Sequence, residues 1–433
     1  MEKLEKIEKE IINLVEDYVS VKNEHSKHFV PGITHIPVSG RVLDEYDYKN
    51  LISSSLDGWL TAGEYTEIFE KKLRSYLNCR HSLMVNSGSS ANLVIMTGIK
   101  KLLDLNDGDE VITSGVNFPT TLNPILQNNL IPVLIDVEIG SYNINPELIE
   151  KAITKKTKGI VLAHTLGNPF DVNVILEICE KYDLFLIEDC CDALGAKYEN
   201  KTVGNFGLAG SLSFYPAHHI TTGEGGAVYT NNAKLKKIME SIRDWGRDCY
   251  CPPGVDNTCK KRYDWQLGEL PHGYDHKYTY SNIGYNLKSS DLQASIGISQ
   301  LEKADSFIEK RNSNFEKLYK YFSEFDQFIL PKKHEKSEPS WFGFPLTVKK
   351  NSVGFNRQEL LIHYQEHNIG NRLLFAGNIK KQPAYEKANI KVSGNLQNSD
   401  IVMNHTFWLG VYPGLTDEMI DYIYKSTKEF LTK

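Results

Sequence analysis

Between about residue 80 and residue 232, short apolar runs alternate with stretches of helical periodicity. The runs VITSGV at 111, IPVLIDV at 131, GIVLAHTLG at 159, FLIEDCC at 185, GSLSFY at 210 and GAVYT at 226 have the length of buried strands. Between them NLVIMTGIKKLL, PELIEKAITKK and VNVILEICEKYD carry the i, i+3, i+4 apolar spacing of amphipathic helices. Strands apolar along their whole length and separated by helices predict an α/β fold, a mainly parallel sheet sandwiched by helices. Ligands of such sheets sit at the carboxyl ends of the strands, so the residues just after each apolar run are the functional candidates.

Residues 233–246 read as helix, and 249–280 as a long loop with Pro and Gly, a length that usually has a function. A long helix starts near Ser290, and beyond about 325 short strands such as FGFPLTV mix with helices. The expected organisation is an N-terminal helical and extended segment at 1–58, a large domain at 59–305 carrying the 249–280 loop, and a smaller C-terminal α+β domain at 306–433. No internal repeat or low-complexity tract interrupts it.

Composition narrows the function classes. The 433 residues are 41% hydrophobic and 24% charged, as in ordinary globular proteins. Lys plus Arg at 49 against Asp plus Glu at 55 gives a formal charge of -6, which leaves no electrostatic footprint for a nucleic acid and favours small-molecule chemistry. The first twenty residues are charged throughout, without the apolar core of a signal peptide or the length of a membrane span, so a cytoplasmic protein is expected. In that compartment seven cysteines are thiols, metal ligands or catalytic groups before they are disulfides. Cys79 and Cys179 lie in helix-like surroundings and read as buried small hydrophobes; Cys190, Cys191, Cys249, Cys251 and Cys259 do not.

Three places carry chemistry. In LMVNSGSSANLVIM, Gly88 with Ser87, Ser89 and Ser90 opens a helix after a short apolar run, where backbone N–H groups and the helix dipole favour a phosphate; a plain helix cap has the same look. FLIEDCC ends in Glu188 and Asp189, and a carboxylate at such a strand end can hold a protonated pyridine nitrogen. SFYPAHHITTGEGGAV follows about 25 residues later, with two adjacent histidines.

Those segments, together with EVITSGVNFPTT, IDVEIGSYNINPELIE and WLGVYPGLTDE, resemble the DegT/DnrJ/EryC-type sugar aminotransferases, which have the fold type I aspartate aminotransferase architecture. The resemblance runs from about Trp59 to the C-terminus. It implies that Asp189 pairs with the pyridine nitrogen of a pyridoxal-type coenzyme, that Gly88, Ser89 and Ser213 hold its phosphate, and that Phe118 stacks on its ring. Asn286 would reach the phosphate bound by a neighbouring subunit, which implies a homodimer.

One residue departs from the family. Where its aminotransferases carry a Schiff-base lysine (SFHPTKNITTGEGG), this chain has His218, and no lysine occurs between Lys201 and Lys234. Imidazole can still move a proton near neutrality, so the change keeps a base and removes covalent capture. His219 is the neighbouring alternative, although the register favours His218. Asp192 also departs, standing where relatives commonly have Gln, and no role is assigned to it or to Arg372.

Loss of the lysine with retention of a base resembles the 3-dehydratases of dideoxysugar pathways, which hold pyridoxamine phosphate noncovalently and remove the C3 hydroxyl of a nucleotide-linked 4-keto-6-deoxyhexose. One branch is metal-free and uses glutamate; the other uses a [2Fe-2S] cluster and an NADH-dependent flavin and iron-sulfur reductase. Cys191, Cys249, Cys251 and Cys259 stand as C-x57-C-x-C-x7-C, without the paired knuckles of a zinc ribbon or the spacing of plant-type ferredoxins. That spacing resembles the iron-sulfur branch. It implies these four as cluster ligands and a CDP-linked 4-keto-6-deoxyglucose as substrate, with dideoxysugars of lipopolysaccharide as the destination. Cys190 is expected on the opposite side of its strand. A noncatalytic paralogue is the alternative outside enzymology.

Overall fold

The computed structural model describes residues 2–24, 28–350 and 354–432. An eight-stranded sheet is its frame. Its strands are β1 (His81–Val85), β2 (Glu110–Ser114), β3 (Ile131–Ile135), β4 (Thr157–Ala163), β5 (Phe185–Asp189), β6 (Ala209–Ser213), β7 (Gly226–Thr230) and a short strand at Lys391–Val392. The order is β1-β7-β6-β5-β4-β2-β3 followed by that short strand. Only β7 runs antiparallel to its neighbours, β1 and β6. The parallel part from β6 outward sends its carboxyl ends to one edge of the sheet.

Both faces of the sheet are covered, which is why its strands are apolar along their whole length. One face carries Ile112, Ile160, Leu162, Leu186 and Leu212 into a core with Phe69 and Phe214; the other carries Val111, Val161, Ile187 and Val228 into a core with Val94, Ile95 and Met239. The first helices are α1 (Glu2–Glu24), α2 (Glu45–Asp57), α3 (Glu64–Leu77), α4 (Gly88–Leu102), α5 (Pro119–Gln127), α6 (Val172–Tyr182) and α7 (Ala233–Arg243), of which α3 to α7 supply these cores. Of these, α1 packs on α2 rather than on the sheet. Gly98 lets α4 and α7 approach closely: a Cβ there would lie 2.8 Å from Met239 Cγ.

Ser290 caps α8 (Asp291–Glu302) through a capping box with Gln293. The helix expected from there breaks at Lys303 and resumes as α9 (Ala304–Phe322). A four-stranded antiparallel sheet follows, centred on strands Gly343–Val348 and Thr406–Gly410, with Asn371–Arg372 at one edge. Its core takes in Phe315, Leu318, Phe344, Leu346, Phe407 and Leu409, and also Ile36 from the N-terminal segment. The stretch PELIEKAITKK forms a much shorter helix than its periodicity predicts, Ile149–Ala152 after a single tight turn. Residues 249–275 contain no helix or strand, and His276–Tyr278 forms one turn of 3-10 helix. No described helix is long and apolar enough to cross a membrane.

Candidate active site

A cavity of about 450 Å³ opens at the carboxyl edge of the parallel strands. Gly88, Ser89, Phe118, Asp189, Ser213 and His218, six of the residues singled out from sequence, line it together. Asn286 does not; it is exposed and lies outside its own chain's cavity.

Asp189 ends β5 and is 5% exposed. Its Oδ2 accepts from Asn92 Nδ2 at 2.8 Å and Thr121 Oγ1 at 2.7 Å, and its Oδ1 from the Cys191 amide at 3.1 Å and Ser211 Oγ at 3.2 Å. Four donors orient this carboxylate toward the cavity. Glu188, one residue earlier, points into the core. Its Oε1 accepts from the amides of Phe206 and Gly207, and its Oε2 from the amide of Gly204, with His164 Nε2 at 3.2 Å. Alternation along the strand separates the two acids, one for the site and one for the loop at 204–207. Cys190 is buried on the same side as Glu188, as alternation requires.

The phosphate-favouring turn has a measurable cradle. Ser87 caps α4 by accepting from the Ser90 amide, and Gly88 is the first residue of the helix. A Cβ on Gly88 would lie 2.6 Å from Ser213 Cβ and 2.9 Å from Cys191 Sγ, so only glycine leaves this corner open. Ser89 Oγ reaches Thr120 Oγ1 at 3.0 Å, tying the turn to the start of α5. Phe118 precedes α5 and keeps half of its surface exposed at the cavity wall, edge-on to Phe375.

His218 and His219 diverge. His218 faces the cavity, its ring against Phe342 and its Nδ1 3.4 Å from Asp192 Oδ1, without hydrogen-bond geometry. His219 is buried outside the cavity, its Nε2 3.0 Å from the Ser340 carbonyl. Burial and the buried Arg311 guanidinium push His218 down to about 4, so it is a free base at neutral pH. Burial and the charge of Asp189 push Asp192 up to about 8. Arg311 itself donates to the carbonyls of Ala217, His218 and Phe342, clamping the turn that presents His218.

Within one chain the expected cysteine quartet lines two separate cavities. Cys249, Cys251 and Cys259 line one small cavity together, whereas Cys191 lines the other cavity beside Gly88 and Asp189. The reason is topological. Cys191 follows β5, an interior strand, while the loop leaves α7, which packs against α4 and the edge strand β1.

Several lining residues had no role assigned from sequence: Asn92, Thr121, Tyr215, Phe342, Arg372 and Trp408. Asn92 and Thr121 lie one turn into α4 and α5, a position that strand-end reasoning could have flagged. Phe342 and Trp408 come from the distant C-terminal half and leave no local signal, whereas Arg372 lies in NRLLFAGN, a stretch that reads equally as a sugar-facing segment or an ordinary loop.

A family model, the DegT/DnrJ/EryC1/StrS aminotransferase family, matches residues 42–428. The chain is 54% identical over 409 residues to the lipopolysaccharide biosynthesis protein RfbH of Salmonella typhimurium, covering 93% of each chain. It is 49% identical over 427 residues to the dTDP-4-dehydro-2,6-dideoxy-D-glucose 3-dehydratase of Saccharopolyspora spinosa, covering 98% of this chain and 92% of that one. A crystal structure of GDP-4-keto-6-deoxymannose-3-dehydratase with a trapped PLP-glutamate geminal diamine superposes with a TM-score of 0.82 at 29% identity, over 90% of this chain and 99% of that one. The fold is therefore that of the fold type I aminotransferases, and the chain belongs to the DegT/DnrJ/EryC1/StrS aminotransferase family.

Proposed function

We propose that this protein is a pyridoxamine-phosphate-dependent 3-dehydratase of nucleotide-linked 4-keto-6-deoxyhexoses. The observation that carries the reading is His218, a free base facing the cavity where the family's aminotransferases have their lysine. Relatives named as sugar 3-dehydratases support it.

The cavity fits the coenzyme. The open corner at Gly88, the unpartnered Asp192 Oδ2 and His218 Nδ1, and the half-exposed ring of Phe118 are what a phosphorylated pyridine would use. Asp189 would hold the ring nitrogen, Gly88, Ser89 and Ser213 the phosphate, and Phe118 the ring face. When bound, the coenzyme supplies an amine for the sugar ketone and a ring that delocalises the electrons left when its methylene carbon loses a proton. His218 would take that proton and return it to the departing C3 hydroxyl, which would leave as water, and Asp189 would stabilise the charge on the ring. Phe342 and the Arg311 clamp hold the imidazole in place.

Net removal of the C3 oxygen then needs two electrons. We assign them to a [2Fe-2S] cluster on the 249–259 loop, fed by an NADH-dependent flavin and iron-sulfur reductase. The three cysteines gathered there support a metal site, and the metal-free, glutamate-using route is the competing reading. A CDP-linked 4-keto-6-deoxyglucose is the proposed substrate, Asn286 the proposed contact to a partner's coenzyme in a homodimer, and the cytoplasm the proposed location. The test is product analysis of the anaerobically reconstituted protein with pyridoxamine phosphate and CDP-, dTDP- and GDP-linked 4-keto-6-deoxyhexoses, with NADH and reductase or with glutamate alone. A 3-deoxysugar only with the reductase supports the reading; full turnover on glutamate alone sinks the cluster half of it.

A further inference from the structure

The first helix, α1, buries little of its apolar surface. Ile12 and Val19 are its only buried residues, and α2 is the element it packs on. Lys22 Nζ donates to Tyr48 OH at 3.2 Å and Lys49 Nζ stands 3.7 Å from Glu16 Oε1, so α2 covers the face from Glu16 round to Lys22. A second apolar stripe lies about a third of a turn away, at Leu4, Ile7, Ile11, Leu14 and Tyr18. Leu4 is 71% exposed, Leu14 68% and Tyr18 63%. Steps of three, four, three and four are the a/d spacing of a coiled coil, a period of 3.5 residues that keeps one seam turned toward another helix. The seam precedes residue 42, where the family match begins, so it lies outside the part of the chain that the family model describes.

We propose that this seam pairs with the same seam of a second copy of the chain, the two helices parallel and in register. Among the described residues no other helix carries more than two large exposed apolar side chains, so the molecule offers α1 no match except another α1. The flanking charges fit this order. In a parallel pair a side chain just before the seam meets the one five residues further along its partner. Lys3 then faces the partner's Glu8, Asp17 faces the partner's Lys22, and Glu10 faces the partner's Val15. An antiparallel pair would set Glu10 against the partner's Asp17, like against like. A membrane surface is the poorer occupant, because α1 carries seven acidic side chains against four lysines, the wrong sign for anionic lipid. The apolar seam supplies the attraction and the flanking charges set the orientation. This pairing is distinct from the contact proposed for Asn286 and needs no coenzyme.

The test uses the full chain carrying Leu14→Cys, mildly oxidised, thiol-blocked and digested, with the disulfide-linked peptides identified by mass spectrometry so that the native cysteines do not interfere. Position 14 meets its own counterpart across a parallel seam, so a 14-to-14 disulfide should dominate. Asn13→Cys, on the far face, should give none, and adding Ile7→Glu to Leu14→Cys should abolish the link by placing like charges in the seam. Leu14 and Ile7 are exposed within one chain, so these variants should keep the circular dichroism and the coenzyme affinity of wild type. Absence of the 14-to-14 disulfide, or equal linkage through Asn13→Cys, overturns the pairing. A link between positions 7 and 18 in a chain carrying Ile7→Cys and Tyr18→Cys, without one at 14, overturns the parallel order.

Discussion

Replacing Asp189 by Asn tests the coenzyme anchor without emptying the site. The side chain keeps its shape, and the question is what happens to four donors. If the new amide nitrogen faces Asn92 and Thr121, both of which now donate to Oδ2, two donors confront a third. Asn92 can resolve this by turning over, because its own Oδ1 is buried without a partner and would then accept. The Thr121 hydroxyl can rotate to accept as well. The Cys191 amide and Ser211 hydroxyl keep a carbonyl oxygen to donate to. Folding stability should therefore change by no more than about 1 kcal/mol, the net worth of one neutral hydrogen bond. Coenzyme binding loses the charge on its partner. A hydrogen bond to a charged group contributes about 1.5–3 kcal/mol, so the Kd for pyridoxamine phosphate should rise roughly 10- to 150-fold. Thermal unfolding without coenzyme and an absorbance titration with it give the two numbers. A Kd within about twofold of wild type, with the fold intact, would show that the ring nitrogen is not at Asp189.

Two further perturbations follow from the same cavity. Gly88→Ala should fold but bind pyridoxamine phosphate far more weakly, since its Cβ would meet Ser213 Cβ at 2.6 Å; wild-type affinity in an equilibrium dialysis would refute the cradle. Asp192 should give the wild type a pH-dependent stability: with its folded pKa raised to about 8 from 3.8, its contribution is full below about pH 4 and is lost as pH rises through 8. Asp192→Asn should flatten the fall in Tm between about pH 4 and about 8, and an unchanged slope would refute the assignment.

Much of this was legible in the chain because the relevant signals are local. The strand at 185–189 announced its end by its acids, and alternation told Asp189 from Cys190. The turn at Ser87–Ser90 and the register of His218 are likewise read over a few residues. What failed was long-range. Lys391–Val392 adds a strand to the far edge of the large sheet and Arg372 enters the coenzyme cavity from the other sheet; two-residue strands have no periodicity to detect. The helix expected at 146–156 stops at Ala152 because Thr154 turns to Glu110, donating its hydroxyl at 2.7 Å.

The central claim is that His218 moves the proton. Its most direct measurement is the rate at which the methylene hydrogen of bound pyridoxamine phosphate exchanges with deuterated solvent when a nucleotide-linked 4-keto-6-deoxyhexose is present, in wild type and in His218→Asn. The account predicts exchange in wild type and a loss of about 100- to 10,000-fold in the variant, with coenzyme affinity retained. Exchange at the wild-type rate in His218→Asn would contradict it.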